Sequence, residues 1–210
     1  MLRPAITLVG AVLALPSVTS AALNSADDFK TASAALAPFT DVCISVPADL
    51  ELLNDARFSY TISAESKVIN AVSFKLDGQK LVVQANKDFD TQKPIKITVR
   101  MPQLARLEAL GSVNVSSKVP TAPASLELTL DGASSLQIAA VQSRLVGVEI
   151  AGSGSVQMVG QANKLVLKLH GSADADLKQL KTQDAEITIA GSGDVKLAVA
   201  RSLAATISGA

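Results

Sequence analysis

The chain has one histidine, His170, and one cysteine, Cys43. His170 is the natural candidate for a general base near neutral pH. A base needs an aligned nucleophile or carboxylate, and the neighbours Leu169, Gly171 and Ser172 supply no such constellation, so a surface position is expected. One histidine also excludes a clustered-histidine metal site, and one cysteine excludes an internal disulfide. Cys43 stands between Val42 and Ile44 and reads as a buried apolar thiol, with pairing to another chain as the alternative in an oxidising compartment. Asp174 and Asp194 each follow a glycine by three residues. If Gly171 and Gly191 stack, the carboxylates lie about 5 Å apart and repel by roughly 1 kcal/mol in water. A calcium ion would relieve that repulsion but wants six to eight oxygens, and the preceding slots hold Ser135 and Ser155. Two solvated turn aspartates are therefore expected, with calcium as the minor candidate. One slot further, Asp176 and Lys196 are expected to pair across the same coils. The Gly-Ser-Gly runs lack the lysine and following helix of a nucleotide loop. Asn114-Val115-Ser116 is a glycosylation sequon, meaningful only in a host that secretes through an endoplasmic reticulum. No catalytic residue, cofactor or metal site is assigned.

These residues sit in a chain of 210 residues that is 48% hydrophobic, 18% charged and 3% aromatic, without tryptophan. That is too apolar for disorder, and 19 basic against 19 acidic groups leave no field for nucleic acid or anionic lipid. Met1-Leu2-Arg3 precedes the apolar run from Ala5 to Leu15 and the small residues Ser20-Ala21-Ala22, the layout of a cleavable secretory signal over residues 1–21. The run is too short to cross a bilayer, which takes about 20 residues. Residues 22–38, rich in Ala, Ser, Asp and Lys, read as a linker or a frayed short helix.

One phrase then repeats: Leu-Thr-Leu-Asp-Gly132, Val-Glu-Ile-Ala-Gly152, Leu-Lys-Leu-His-Gly171, Ile-Thr-Ile-Ala-Gly191 and Ala-Thr-Ile-Ser-Gly209, with a looser copy at Gly111. The glycines fall 21, 20, 19, 20 and 18 residues apart. Counted from Gly132, Gly152, Gly171, Gly191 and Gly209, positions minus six, minus four and minus two are all apolar, as are plus four and plus six in the first four of these copies; minus four holds Leu128, Val148, Leu167, Ile187 and Ala205. A spacing of two within each arm is the strand period. Like residues recurring at one fixed interval stack as ladders about 4.8 Å apart in parallel coils, which a meander of hairpins would not achieve. The glycines would turn the corners with φ > 0. The expected fold is all-β: a right-handed parallel β-helix or solenoid of about 20 residues per coil. Residues 39–104, with another rhythm and most of the aromatics, form a strand-rich N-terminal cap, and 105–210 form the coils, the last one incomplete at Ser208-Gly209-Ala210.

The run Ile97-Thr-Val-Arg-Met-Pro-Gln-Leu-Ala-Arg-Leu-Glu-Ala-Leu-Gly-Ser112, followed by repeated Ile-Ala-Gly-Ser-Gly-x-Val, resembles the GIN domain, the family of autotransporter-adhesin heads. The resemblance extends from about Phe39 to the C-terminus. It implies a β-helical, exported surface or envelope protein and brings no catalytic residues with it. The expected function is a non-enzymatic adhesin-like or envelope scaffold module, periplasmic or at the cell surface, presenting a flat Ser/Thr-rich face to a protein or glycan. The alternative is a carbohydrate-active enzyme of polysaccharide lyase or hydrolase type. The unfinished last coil is expected to mark a truncated chain, with a fraying or assembly site, and so self-association through that coil, as the alternative.

Overall fold

The computed structural model describes residues 29–91, 93–122 and 124–209. In chain order the elements are β1 (Phe29–Ala35), β2 (Asp41–Ile44), β3 (Ala48–Asn54), β4 (Ser59–Glu65), α1 (Ser66–Ile69), β5 (Val72–Asp77), β6 (Lys80–Ala85) and β7 (Lys96–Met101). There follow β8 (Arg106–Gly111), β9 (Val113–Ser117), β10 (Ser125–Gly132), β11 (Ser135–Gly152), β12 (Ser155–Gly171), β13 (Asp174–Gly191) and β14 (Val195–Ser208). The signal sequence expected over residues 1–21 lies outside the described residues. No described helix is long and apolar enough to cross a membrane.

Strands of 17 or 18 residues, such as β11 to β13, are far longer than an ordinary strand because each wraps around the molecule. In β11 the inward residues are Leu136 and Ile138, then Val141 and Ser143, then Val146, Val148 and Ile150. The alternation slips by one at Ala139–Ala140 and again at Arg144–Leu145. Each slip turns the chain through a corner, the first with a register shift in the pairing of β11 with β12, and Gly152 makes the third corner. The result is a three-sided β-solenoid of about 5 turns and ~20 residues per turn.

The ladders read from the sequence are present and parallel, with a register shift where Met158 would meet Leu177. Val148 pairs with Leu128 and Leu167, Ile187 with Leu167 and Ala205, and on the next side Val156 pairs with Leu136 and Ala175. A middle arm has no strong apolar signature in the sequence. There Ser143 stacks on Ala162 and Ala162 on Thr182. Thr121 Oγ1 lies 2.8 Å from Ser143 Oγ, and Ser143 Oγ donates to the Ala122 carbonyl at 2.6 Å, so these buried hydroxyls are satisfied rather than orphaned.

The N-terminal part departs from expectation in two ways. First, residues 39–104 are only partly a cap. β2 lies parallel between β6 and β8, and β3 parallel between β7 and β9. The ladder Leu128–Leu107 therefore continues through Val42 to Leu81, and Leu136–Val115 through Leu50 to Ile97. The chain lays down one coil with β2 and β3, adds the outermost with β6 and β7, and then returns to the other side of the first with β8. No glycine phrase marks these rungs, so the register alone reveals them. Second, Phe29–Ala35, within the expected linker, is a strand. It pairs antiparallel with β4 along its whole length, held by backbone bonds that an Ala/Ser/Thr composition does not announce. The true cap is β4 on β7, β1 on β4, β5 on β6, and α1, which buries Val68. The aromatics belong to this end: Tyr60 stacks on Phe74 with centroids 3.7 Å apart, and Phe39 meets Phe58 at 5.4 Å. Large flat rings close an aliphatic prism where the next rung stops.

The corners are where stacking becomes selective. Gly111, Gly132, Gly152, Gly171, Gly191 and Gly209 all have φ between 86° and 146°, a region that L side chains avoid. A Cβ on Gly132 would fall 2.5 Å from the Gly111 carbonyl oxygen, and one on Gly152 or Gly171 would fall 2.4 Å from the carbonyl of the glycine below. Those carbonyls accept the next coil's amides: Ser153 N–H bonds Gly132 O at 2.9 Å and Ser172 N–H bonds Gly152 O at 2.9 Å. At Gly111 a Cβ would meet nothing within 4 Å. Gly111→Ala is therefore expected to cost about 1 kcal/mol from φ alone. Gly152→Ala adds a backbone clash and is expected to cost about 2–4 kcal/mol. Urea unfolding of both variants checks this, and equal losses would contradict the stacking account.

Candidate functional site

Because the apolar columns face inward, the residues between them line the outer faces. One continuous polar face runs across β7, β3, β9 and the first arms of β11, β12 and β13. One row reads Lys96, Asp49, Asn114, Ser135, Ser155 and Asp174, each in register with the next. A parallel row reads Thr98, Glu51, Ser116, Gln137, Gln157 and Asp176. Hydroxyls and amides occupy the middle, and charges flank it at both ends. Around Asp49, Glu51, Lys96, Asn114 and Gln137 the face is dished into a shallow depression of about 450 Å³.

The side chains are held by one another as well as by the ladder. Asn114 Nδ2 donates to Asp49 Oδ1 at 2.9 Å, and Ser155 Oγ donates to Ser135 Oγ at 3.2 Å. Donors and acceptors spaced at the strand repeat suit a polar, extended partner. The asparagine of the sequon sits on this exposed face. The part of the face on β3 and β7, Asp49, Glu51, Lys96 and Thr98, carries no glycine phrase; a match of its alternation to the β9 rung is the one signal the sequence offers.

Other residues singled out by sequence fall elsewhere. Asp174 and Asp194 are brought together at successive corners, but the Asp194 N–H donates to Asp174 Oδ1 at 3.1 Å, so that carboxylate serves the turn. Among the described residues no group of three His, Cys, Asp or Glu side chains could hold a metal ion. Asp176 stands in register with Lys196, yet the ammonium within ion-pair reach is Lys178 Nζ, 3.7 Å from Oδ2. A lysine two residues on shares the face of Asp176 and needs no second coil to reach it. His170 is exposed on a different face, between Ala151 and Ala190 of the adjoining coils.

Cys43 is half-buried rather than buried, because the alternation that sends Val42 and Ile44 inward turns it out. There it lies in register with Glu108, whose Oε1 accepts from Lys80 Nζ at 2.8 Å. Burial, then the Glu108 carboxylate, pushes the thiol's pKa up, while the Lys80 hydrogen bond holds Glu108 below the ordinary range. Cys43 is thus a poorly activated nucleophile. Arg106 Nε reaches Glu127 Oε2 at 2.9 Å across the neighbouring rungs. Arg201 clamps Asp184 with two nitrogens, and Ser202 Oγ adds a bond at 2.7 Å. The Arg201 guanidinium, then Ser202, lowers the Asp184 carboxyl from 3.8 to about 2.

A depressed carboxyl stabilises the fold above its unfolded pKa and loses that contribution as the pH falls through the folded value. Asp184 is therefore expected to stay ionised until about pH 2, and Arg201→Gln to return its titration towards the ordinary value. Carbon-13 NMR titration of the carboxyl checks this; the same midpoint with and without Arg201 would contradict it.

Comparison with known proteins places this architecture. A search of curated proteins finds no match. Among solved structures, a "putative adhesin" from Bacteroides fragilis superposes with a TM-score of 0.74 at 15% identity, covering 86% of this chain and 94% of its own. One from Parabacteroides distasonis gives 0.74 at 14% identity, covering 87% and 79%. A "putative lipid binding protein" from the same species gives 0.58 at 12% identity, covering 87% and 96%. At such identities the likeness is one of fold. Residues 38–210 match the family described as "putative auto-transporter adhesin, head GIN domain", and the chain belongs to that family.

Proposed function

We propose that the chain is an exported, non-enzymatic adhesin-like module that holds a polar polymer, protein or glycan, along the face of β7, β3, β9 and the first arms of β11 and β12. The observation that carries this is the in-register row of Asn114, Ser135 and Ser155 beside Ser116, Gln137 and Gln157. It is a rigid lattice of neutral donors and acceptors with charges at its ends. A rigid face loses little conformational entropy on contact, so even modest hydrogen bonds accumulate into useful affinity along an extended partner. Membership of an adhesin-head family and adhesin-like folds among solved structures support the same reading. Export rests on the segment 1–21. The family's surface-type role agrees with it.

The depression beside Asp49 and Glu51 is wide and shallow, a poor setting for bond cleavage, which relies on a dry, enclosed pocket. The experiment is a pull-down of the purified protein on bacterial cells and isolated envelope polysaccharides. Asn114→Ala/Ser135→Ala/Gln137→Ala is compared with a Thr129→Ala/Thr188→Ala control on another face. Retention reduced about tenfold by the first set alone is expected, corresponding to roughly 1.4 kcal/mol. No retention of the unaltered protein, equal retention of both sets, or release of shortened sugars would overturn it.

A further inference from the structure

The three sides of the solenoid share charge unequally. From residue 118 onward the chain carries eight basic and eight acidic side chains. The middle arm and its two corners, residues 118–122, 139–145, 159–164, 178–184 and 198–201, hold six of those cations: Lys118, Arg144, Lys164, Lys178, Lys181 and Arg201. The same segments hold a single acid, Asp184, and Arg201 clamps it. The other seven carboxylates lie on the two flanking sides. A chain without net charge therefore presents one strongly positive side, a local field that the overall balance conceals. All six cations are exposed, and each coil from Lys118 to Arg201 supplies at least one, so they recur along the solenoid axis at the rung spacing of about 4.8 Å. Lys118, Lys164 and Lys178 lean towards Glu51, Glu186 and Asp176 at 3.9, 3.2 and 3.7 Å. Such exposed contacts are worth at most about 1 kcal/mol and are readily exchanged for another anion. The side chains of Arg144 and Lys181 have no hydrogen-bond or ion-pair partner among the described residues. Between these two stand the amides of Gln142 and Gln161, with Gln142, Gln161 and Lys181 in register on successive coils.

We propose that this middle side binds a linear anionic polysaccharide, laid along the solenoid axis with its carboxylates on the basic side chains. Charge complementarity selects the sign of the ligand, and the geometry selects its form. Cations set on successive coils match a polymer whose charges recur along its length, and a narrow arm suits a single extended chain. Gln142 and Gln161 donate and accept at once, which is what ring hydroxyls between the carboxylates require. Nothing here suits a nucleic acid strand, because no aromatic residue follows Phe89 and bases would find no ring to stack on. A bilayer is no better served: the exposed aliphatic residues Leu145 and Val159 stand singly at opposite corners of the arm, and seating in a membrane scales with buried apolar area. The two binding surfaces of the molecule take different chemistry, neutral groups along the first arm and carboxylates along the middle one, so either reading can fail without the other.

The test is calorimetric titration of the purified full chain, with circular dichroism to confirm that each variant folds. Sodium polygalacturonate is the polyanion, dextran the neutral polymer, and phosphatidylglycerol vesicles the anionic lipid surface. Saturable binding of polygalacturonate is expected, weakening as salt rises from about 50 to 300 mM. Arg144→Gln/Lys181→Gln is expected to weaken it at least about tenfold. Lys168→Gln/Lys196→Gln removes the same charge from the flanking sides and is expected to change it less than about twofold. Asn114→Ala/Ser135→Ala/Gln137→Ala is expected to bind polygalacturonate as the unaltered chain does, which separates this side from the polar face. No binding of polygalacturonate, equal loss from the two charge pairs, dextran or vesicles bound as tightly as polygalacturonate, or dependence on the polar-face residues would each overturn the proposal.

Discussion

The structure depends on one constraint: each coil must sit on the one below in the same register, close enough that a corner carbonyl occupies the space where the next corner's Cβ would be. From Gly132 onward only glycine satisfies it. At Gly191 the Cβ position lies 2.0 Å from the Gly171 oxygen, well inside any permitted contact. Once the corner is fixed, the two arms that flank it are fixed in register, and differences in coil length are taken up at the next corner, where the pairing shifts. A shift by one residue would turn every inward Leu, Val and Ile of that arm to solvent. The glycine phrase is thus a registration mark. The stability comes from the aliphatic columns it aligns, each buried side chain contributing about 1.5–3 kcal/mol before the entropy of ordering is subtracted.

The same registration makes the outer surface usable. Side chains that alternate with the columns are held at the spacing of the strands, so a polar partner meets an ordered row rather than a set of mobile loops. Short corners leave little material for lids or deep clefts. The chemistry available is accordingly hydrogen bonding and charge at fixed positions, with the thiol of Cys43 restrained by burial and by the Glu108 carboxylate. That is the equipment of a contact surface. Bridges between rungs, Lys80 to Glu108 and Arg106 to Glu127, lie on exposed or half-exposed sides where an ion pair is worth at most about 1 kcal/mol, and they support register more than stability.

The second half was legible because its repeat is short and its arms are strongly apolar; five columns and the corner glycines follow from spacing alone. The first half was not, for physical reasons that can be named. β2 and β6 carry the same inward pattern, Val42 and Ile44 above Leu81 and Val83, but Ser45, Val46 and Pro47 turn the corner of that coil in place of a glycine. The chain also places β2 between rungs that follow it, an order no local pattern encodes. β1 pairs through backbone groups that every sequence possesses. At the site, the Asn114–Ser135–Ser155 row could be read from the repeat, whereas Asp49 and Lys96 required the hidden rungs. The pairing of Asp176 with Lys178 depended on side-chain reach, which spacing between coils does not determine.

The direction of the strands is the most exposed part of this account, because the columns, the corners and the polar face follow from it. Nuclear Overhauser contacts between Val148, Leu167 and Ile187, partners in successive coils, measure it directly. Parallel stacking gives inter-strand contacts from amide to α-protons along this series, without close pairs of α-protons. Strong contacts between opposed α-protons, the mark of antiparallel neighbours, would contradict the account.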